Sequence, residues 1–438
     1  MRSAKFFTGA LAALCLTSVT PVFAQPTGPV QPEGLQPFPL FGSSRQITSG
    51  TAFNPAISVI LDGKYYTDNR RGEAGEILEH AAGFDGHHGD HDHGHGELSR
   101  GFNLDETEIV FSATVDNYFD AMLNLAVDED GIEVEEVFGV TRRLPAGLTL
   151  KFGKFLSGIG YINQQHPHDW DFADQTLVYE LMFGDHGIND IGLQLTWLPK
   201  LPVYTLFGVE TLQGRNEGIA NTIDHGAADF GGLRERSGPR LFTGFVKVAP
   251  DLGFDHALQL GLFGGGARLH QEDHSDDDER EYLEGDSWFA GVDAVYKYDA
   301  GRSYGHGNLT LQGEYIYRVK DLRVAAADDF DEIGDKEKFK QDGFYVQAKY
   351  GFAPRWTAAA RLDMVGLYNR IEKDARTDKF DDSRRYSANL TFNPTEFSRL
   401  RMQFNHGDIA QEGGGRENYN QFFVQYQIAL GVHGAHKF

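Results

Sequence analysis

Cysteine is nearly absent: the 438 residues contain one, Cys15, and it lies in the first apolar run of the chain. Once that run is removed, no disulfide or thiolate ligand remains, so any bound metal would be held by histidine and carboxylate. Long apolar stretches are missing too. After residue 24 none approaches the roughly 20 residues of a membrane helix, and mean hydropathy is negative, which excludes a helical membrane protein. Positive charge is scarce. Against 40 Lys and Arg stand 64 Asp and Glu, a formal net charge of -24 that repels phosphate backbones, excludes nucleic acid as a partner and favours cations. The chain also lacks a Gly-x-Ser-x-Gly elbow, a His-Glu-x-x-His pair and a phosphate-cradling loop, so the sequence predicts no enzyme.

What is present begins with export. Arg2 and Lys5 precede an apolar run over 6–19, and Val22-Phe23-Ala24 offers a small-residue cleavage site, so residues 1–24 are expected to be a secretory signal peptide. A lipid-modified Cys15 is disfavoured by the bulky Leu14 before it. Residues 25–54 carry Pro26, Pro29, Pro32, Pro37 and Pro39 without periodicity and read as a periplasmic extension.

The whole chain is rich in glycine (52) and aromatics (13%), a mixture suited to strands and turns. Ile109, Phe111, Ala113 and Val115 alternate with Glu108, Ser112 and Thr114. Phe119, Ala121, Leu123, Leu125 and Val127 oppose Asp120 and Asn124. Leu309, Leu311, Tyr315 and Tyr317 oppose Gln312, Glu314 and Arg318, and Phe422, Val424, Tyr426, Ile428 and Leu430 oppose Gln421, Gln425 and Gln427. Two-residue periodicity over about ten positions marks a transmembrane strand, apolar to lipid and polar to the lumen, and is longer than a soluble sandwich strand.

Short turns near Asp116, Pro145, Pro199, Pro250, Gly301, Pro354 and Pro394 alternate with longer connections at about 67–104, 157–190, 213–239, 267–286, 320–342, 369–383 and 407–418, plus a brief turn at 128–131. Starting from a first strand over 57–66, the expected fold is an all-β transmembrane antiparallel barrel of about sixteen strands spanning 55–438 in the cell outer membrane. Short turns are periplasmic and long loops external. Residues 176–183 have strand character, but counting them as a strand would put the Pro199 turn outside. They belong instead to the third external loop, which is long enough to fold into the lumen of a barrel this wide. The terminal Phe438 is consistent with the class, and His433 and His436 are placed at the periplasmic rim.

Two constellations carry chemistry. In the external loop 79–97, His80, His87, His88, His91, His93 and His95 are interleaved with Asp85, Asp90 and Asp92 and with glycines. Neutral imidazoles beside carboxylates suit zinc, copper or nickel, held loosely as a capture device, and binding is expected to fall as pH drops through the imidazole range. The other reading is a solvated loop without a dedicated role. In the third loop, His166, His168, Asp169, Asp171 and Asp174 are expected at the pore constriction, where carboxylates favour cations; alternatively they hydrogen-bond the loop to the wall. The acidic run Asp273-His274-Ser275-Asp276-Asp277-Asp278-Glu279 lacks the glycine and spacing of an EF-hand and reads as a solvated loop.

Leu104-Asp105-Glu106-Thr107-Glu108, Leu150-Lys151-Phe152-Gly153-Lys154-Phe155, His166-Pro167-His168-Asp169-Trp170-Asp171-Phe172 and the closing Gly434-Ala435-His436-Lys437-Phe438 resemble a family of porin-like outer-membrane proteins. That family is often labelled zinc-regulated TonB-dependent outer membrane receptor and is similar in outline to phosphate-selective porins. The resemblance implies zinc-responsive uptake of metal or metallophore. An energised receptor has a plug domain and about 22 strands, which this length does not accommodate, so a passive or facilitated channel is expected. No cofactor is required, with zinc or a similar divalent metal as a bound or transported ion. The expected partners are outer-membrane lipid and lipopolysaccharide, small solutes or metal ions, and two further copies in a homotrimer. The alternative is a non-conducting, metal-binding surface protein anchored by its barrel.

Overall fold

The computed structural model describes residues 50–51, 54–72, 74–84, 98–128, 131–223, 232–275 and 280–431. The signal peptide, nearly all of the extension, residues 85–97 of the histidine tract and the terminal 432–438 lie outside them. Sixteen long strands are found among the described residues: β1 (Asn54–Asp68), β2 (Thr107–Thr114), β3 (Phe119–Val127), β4 (Ile132–Thr141), β5 (Leu148–Leu156), β6 (Asn189–Trp197), β7 (Tyr204–Leu212), β8 (Leu241–Ala249), β9 (His256–Asp273), β10 (Glu281–Tyr298), β11 (Leu309–Ala327), β12 (Lys336–Ala353), β13 (Trp356–Lys373), β14 (Ser383–Thr395), β15 (Ser398–Ala410) and β16 (Arg416–Gly431). Each pairs antiparallel with the next, and β16 closes on β1 with Phe423 opposite Tyr66 and Gly431 opposite Ser58. Short strands at Gly50–Thr51, Gly101–Leu104 and Thr377–Lys379 add to the rim of this closed barrel.

The period-two pattern sorts side chains as the sequence predicts, with the polar face inside. On β11 the inward Gln312, Glu314 and Arg318 are buried while the outward Leu311 and Tyr315 are 43% and 40% exposed. On β16 Gln425 is buried and Ile428 and Leu430 face out. A face of exposed aliphatic and aromatic side chains on a closed barrel is what lipid requires, because closure leaves no unpaired edge in the hydrocarbon. No helix of the described residues is long and apolar enough to cross a membrane.

Strands of the second half are longer than expected. The first strand also starts earlier and ends later than 57–66, and the connections drawn at 267–286, 320–342, 369–383 and 407–418 shrink to 274–280, 328–335, 374–382 and 411–415. The reason is chemical. Above the lipid belt the outer face of these hairpins becomes charged, so the apolar alternation stops while backbone pairing continues. Lys338 meets Asp321 at 2.5 Å and Lys340 meets Glu372 at 2.6 Å across neighbouring strands of that face.

The third external loop, residues 157–188, turns into the lumen. Residues 177–183 form α-helix there, α2 (Leu177–Phe183), rather than strand, and Leu177, Val178, Tyr179, Met182 and Phe183 are buried. Two further loops follow it inward. In the first, 69–106, a short helix α1 (Glu76–Glu79) and Phe84 are packed inside; in the fourth, 213–240, α3 (Glu217–Ala220) buries Ile219. All three join inner-wall residues such as Ile316, Val365 and Tyr419 in one apolar core.

Candidate functional site

The third loop is held by side chains that project inward from many strands. Glu314 on β11 accepts hydrogen bonds from the Ile162 amide (2.8 Å), the Tyr179 hydroxyl (2.9 Å) and the Tyr345 hydroxyl (2.7 Å). Gly160 passes over that carboxylate in the left-handed region (φ 53°), and a Cβ there would lie 2.2 Å from both Glu314 Oε2 and the Tyr179 hydroxyl. Two strands along, on β13, Arg361 donates to the Asp174 carbonyl (3.1 Å) and pairs with its carboxylate (3.0 Å). Arg385 pairs with Glu180 (3.0 Å), Arg401 donates to the Trp170 carbonyl (2.8 Å) and Arg399 to the His168 carbonyl (2.8 Å).

These contacts decide what the five expected constriction residues face. Asp171 is bound by Lys349, and Asp174 by Arg361, Gln403 and Asn405. Burial would raise both carboxyls, but Lys349 for Asp171 and Arg361 with Arg385 for Asp174 outweigh it and hold them below the usual aspartate range. Asp169 stays partly exposed beside His168 Nε2, 3.4 Å away. His166 and His168 turn the other way, stacked at 5.8 Å between ring centres, toward acids of β2 and β4. His166 Nε2 lies 2.9 Å from Glu136, its Nδ1 lies 3.3 Å from Glu135 and 3.9 Å from Glu108, and His168 Nδ1 bonds Glu108. Burial pushes both imidazoles toward neutrality, yet Glu108 with Glu135 for His166, and Glu108 with Asp169 for His168, hold their pKa values above the usual range.

Of the histidine tract only His80 is described. It is exposed at the end of α1, with its carbonyl accepting from the Glu412 amide at 3.3 Å; His87, His88, His91, His93 and His95 lie outside the described residues. In the acidic run, Asp273 ends β9 and His274 Nε2 bonds Glu272 at 3.0 Å.

Sequence reasoning missed Glu135 and Glu136. Strict alternation allows one of two neighbours to face inward, but both are buried because β4 carries a bulge: Asn124 pairs with Glu136 and Leu125 with Val134, leaving Glu135 as the extra residue. An acidic doublet inside an otherwise alternating strand was the available signal. Of the wall residues, Glu314 was legible as inward-facing but not as a loop anchor, and Arg361, Arg385 and Arg401 were not singled out.

A closed, sixteen-stranded antiparallel barrel with a lipid-facing apolar surface, a polar interior and a long loop turned into it defines an outer-membrane barrel of the porin type. No family model matches the sequence. The chain belongs to the same family as an "Uncharacterized protein" of Aquifex aeolicus (strain VF5), with which it shares 34% identity over 396 residues, 89% of this chain and 81% of that protein. The fold is similar to that of the outer membrane channel DcaP of Acinetobacter baumannii (TM-score 0.54, 12% identity, 87% of this chain and 99% of that one). It is also similar to OmpT of Vibrio cholerae in its trimer form (0.50, 10%, 86% and 99%) and to an anion-selective porin from Comamonas acidovorans (0.50, 12%, 86% and 99%). None of these four is described as a zinc-regulated or TonB-dependent receptor.

Proposed function

We propose that the protein is a narrow outer-membrane channel for small solutes, biased toward cations and linked to uptake of a divalent metal such as zinc. The observation that carries this reading is the polar interior of the closed barrel, threaded by a loop that its own wall holds in place. Conduction of this kind requires an aqueous path lined by polar groups and no covalent chemistry. The net charge of -24 supports a preference for cations, and the external histidines would concentrate the ion at the mouth. Because Asp171 and Asp174 are matched by wall cations, selection would fall more on Asp169 and on acidic groups of the external end. Charged strand faces above the lipid belt suit lipopolysaccharide, and the trimer form of the Vibrio cholerae OmpT supports a homotrimer here.

One observation favours a second reading, a metal-binding surface protein whose barrel only anchors it. Inward side chains such as Glu108, Gln194, Gln259, Glu314 and Arg385 are buried around the whole circumference, and α2 adds apolar bulk. The reversal potential across a bilayer under a salt gradient separates these outcomes. A cation-selective potential with zinc-sensitive current is expected; an anion-selective or non-selective current would remove the cation bias, and absence of current would favour the anchor.

A further inference from the structure

We infer that Glu108, Glu135 and His166 form a binding site for one divalent transition-metal ion, at the point where the third loop meets β2 and β4. One donor atom from each lies within 4.8 Å of the others, and all three residues are buried. An ion with bonds of about 2.0–2.2 Å separates its ligands by roughly 3–3.5 Å, close to the 3.3 Å between His166 Nδ1 and Glu135 Oε2 and somewhat under the 3.9 Å to Glu108 Oε2.

The hydrogen bonds around the site prepare His166 as a ligand. Its Nε2 donates to Glu136 at 2.9 Å, the arrangement in which a carboxylate fixes a ligating imidazole and raises its basicity. That leaves Nδ1 aimed at two carboxylates. A lone pair facing two anions is repelled unless a proton or a cation lies between. On the other side, the Asn124 side-chain amide donates to Glu108 Oε2 (2.6 Å) and Glu135 Oε2 (2.7 Å), clamping the same two oxygens that face His166.

One further feature points to an ion rather than to a proton alone: Asn124 is fully buried and its amide oxygen has no hydrogen-bond partner among the described residues, so turning that amide over would present an oxygen donor to an ion between the two carboxylates. Two carboxylates and one imidazole suit zinc, manganese, iron or cobalt better than calcium, which takes six to eight oxygens. Such an ion would join residues far apart in sequence and fasten the loop to the wall. The inference stands apart from conduction, since a silent barrel would hold the ion equally well.

The test uses the full-length protein purified from membranes with His80, His87, His88, His91, His93 and His95 replaced by asparagine, so that the tract cannot bind. After chelation, reloading with zinc or cobalt and removal of excess, metal per chain is measured and X-ray absorption reads the donors. One retained ion with one imidazole among oxygens, resisting an equal concentration of calcium, is the expected result. Glu108→Gln and Glu135→Gln should each abolish retention, and Glu136→Gln should weaken it by about 10–100-fold, as loss of an outer carboxylate does. No retained ion, or retention unchanged in Glu108→Gln and Glu135→Gln barrels that still show heat-modified mobility, would overturn the site. If those variants fail to fold, the ion count and donor set of the barrel with its site intact still decide.

Discussion

At the scale of single residues, the loop depends on buried charges that the wall matches. Arg385 pairs with Glu180 at 3.0 Å and lies 3.5 Å from Asp174. Replacing it with leucine leaves Glu180 in the interior without its cation and Asp174 with Arg361 alone, a loss of roughly 3–5 kcal/mol. The Arg385→Leu barrel is therefore expected to unfold at lower temperature and to be cleaved faster by protease within 157–188; unchanged cleavage would contradict the anchoring role. Acid should act at the same place. The carboxyls of Asp171 and Asp174 are held below the usual aspartate value of 3.8, so their contribution to docking is complete above that value and is lost as pH falls through the depressed ones. Protease sensitivity of the loop should rise once pH falls below about 4. Constant sensitivity throughout would mean that these pairs do not hold the loop.

At the scale of elements, the sequence made the strands readable wherever one face meets lipid and the other does not. Leu311 and Tyr315 against Gln312 and Glu314 is such a case, and so are the short turns at Pro145, Pro199 and Pro250. Legibility ended above the lipid belt, where Asp321, Lys338 and Lys340 face water and a polar-polar strand has no period in hydropathy. The placement of 176–183 in a loop could be argued from the parity of turns, but its helix could not: Leu177, Val178, Leu181 and Met182 read equally as a buried strand or a buried helix segment, which a short apolar run does not distinguish. Of the candidate site, His166 and His168 were visible as an unusual pair and Glu108 as an inward residue, whereas Glu135 and Glu136 were hidden by a bulge that periodicity does not reveal. Deleting Glu135 should restore regular pairing of β3 with β4, leave the barrel's heat-modified mobility intact and remove the metal site. A deletion variant that cannot fold would show that the bulge is needed by the barrel itself.

At the scale of the whole molecule, an apolar core inside a polar-lined barrel has two consequences. It stabilises the inserted loop, since burying a large side chain such as Phe183 contributes about 1.5–3 kcal/mol, and it takes up space that an aqueous path needs. Whatever conducts must pass between the loop and the wall, so the account predicts small current steps and not those of a wide, open barrel. In the proposed reading the acid-rich surface would bias which ions approach, and the histidine tract would add a local affinity at the external end.

The most direct test of a channel narrowed by its own docked loop is the single-channel conductance of the intact barrel beside one lacking Leu177–Phe183, the helix that fills the interior. The account predicts small, stable steps for the intact protein and a several-fold larger conductance once the helix is removed. Equal conductance in the two, or silence in both, would contradict it.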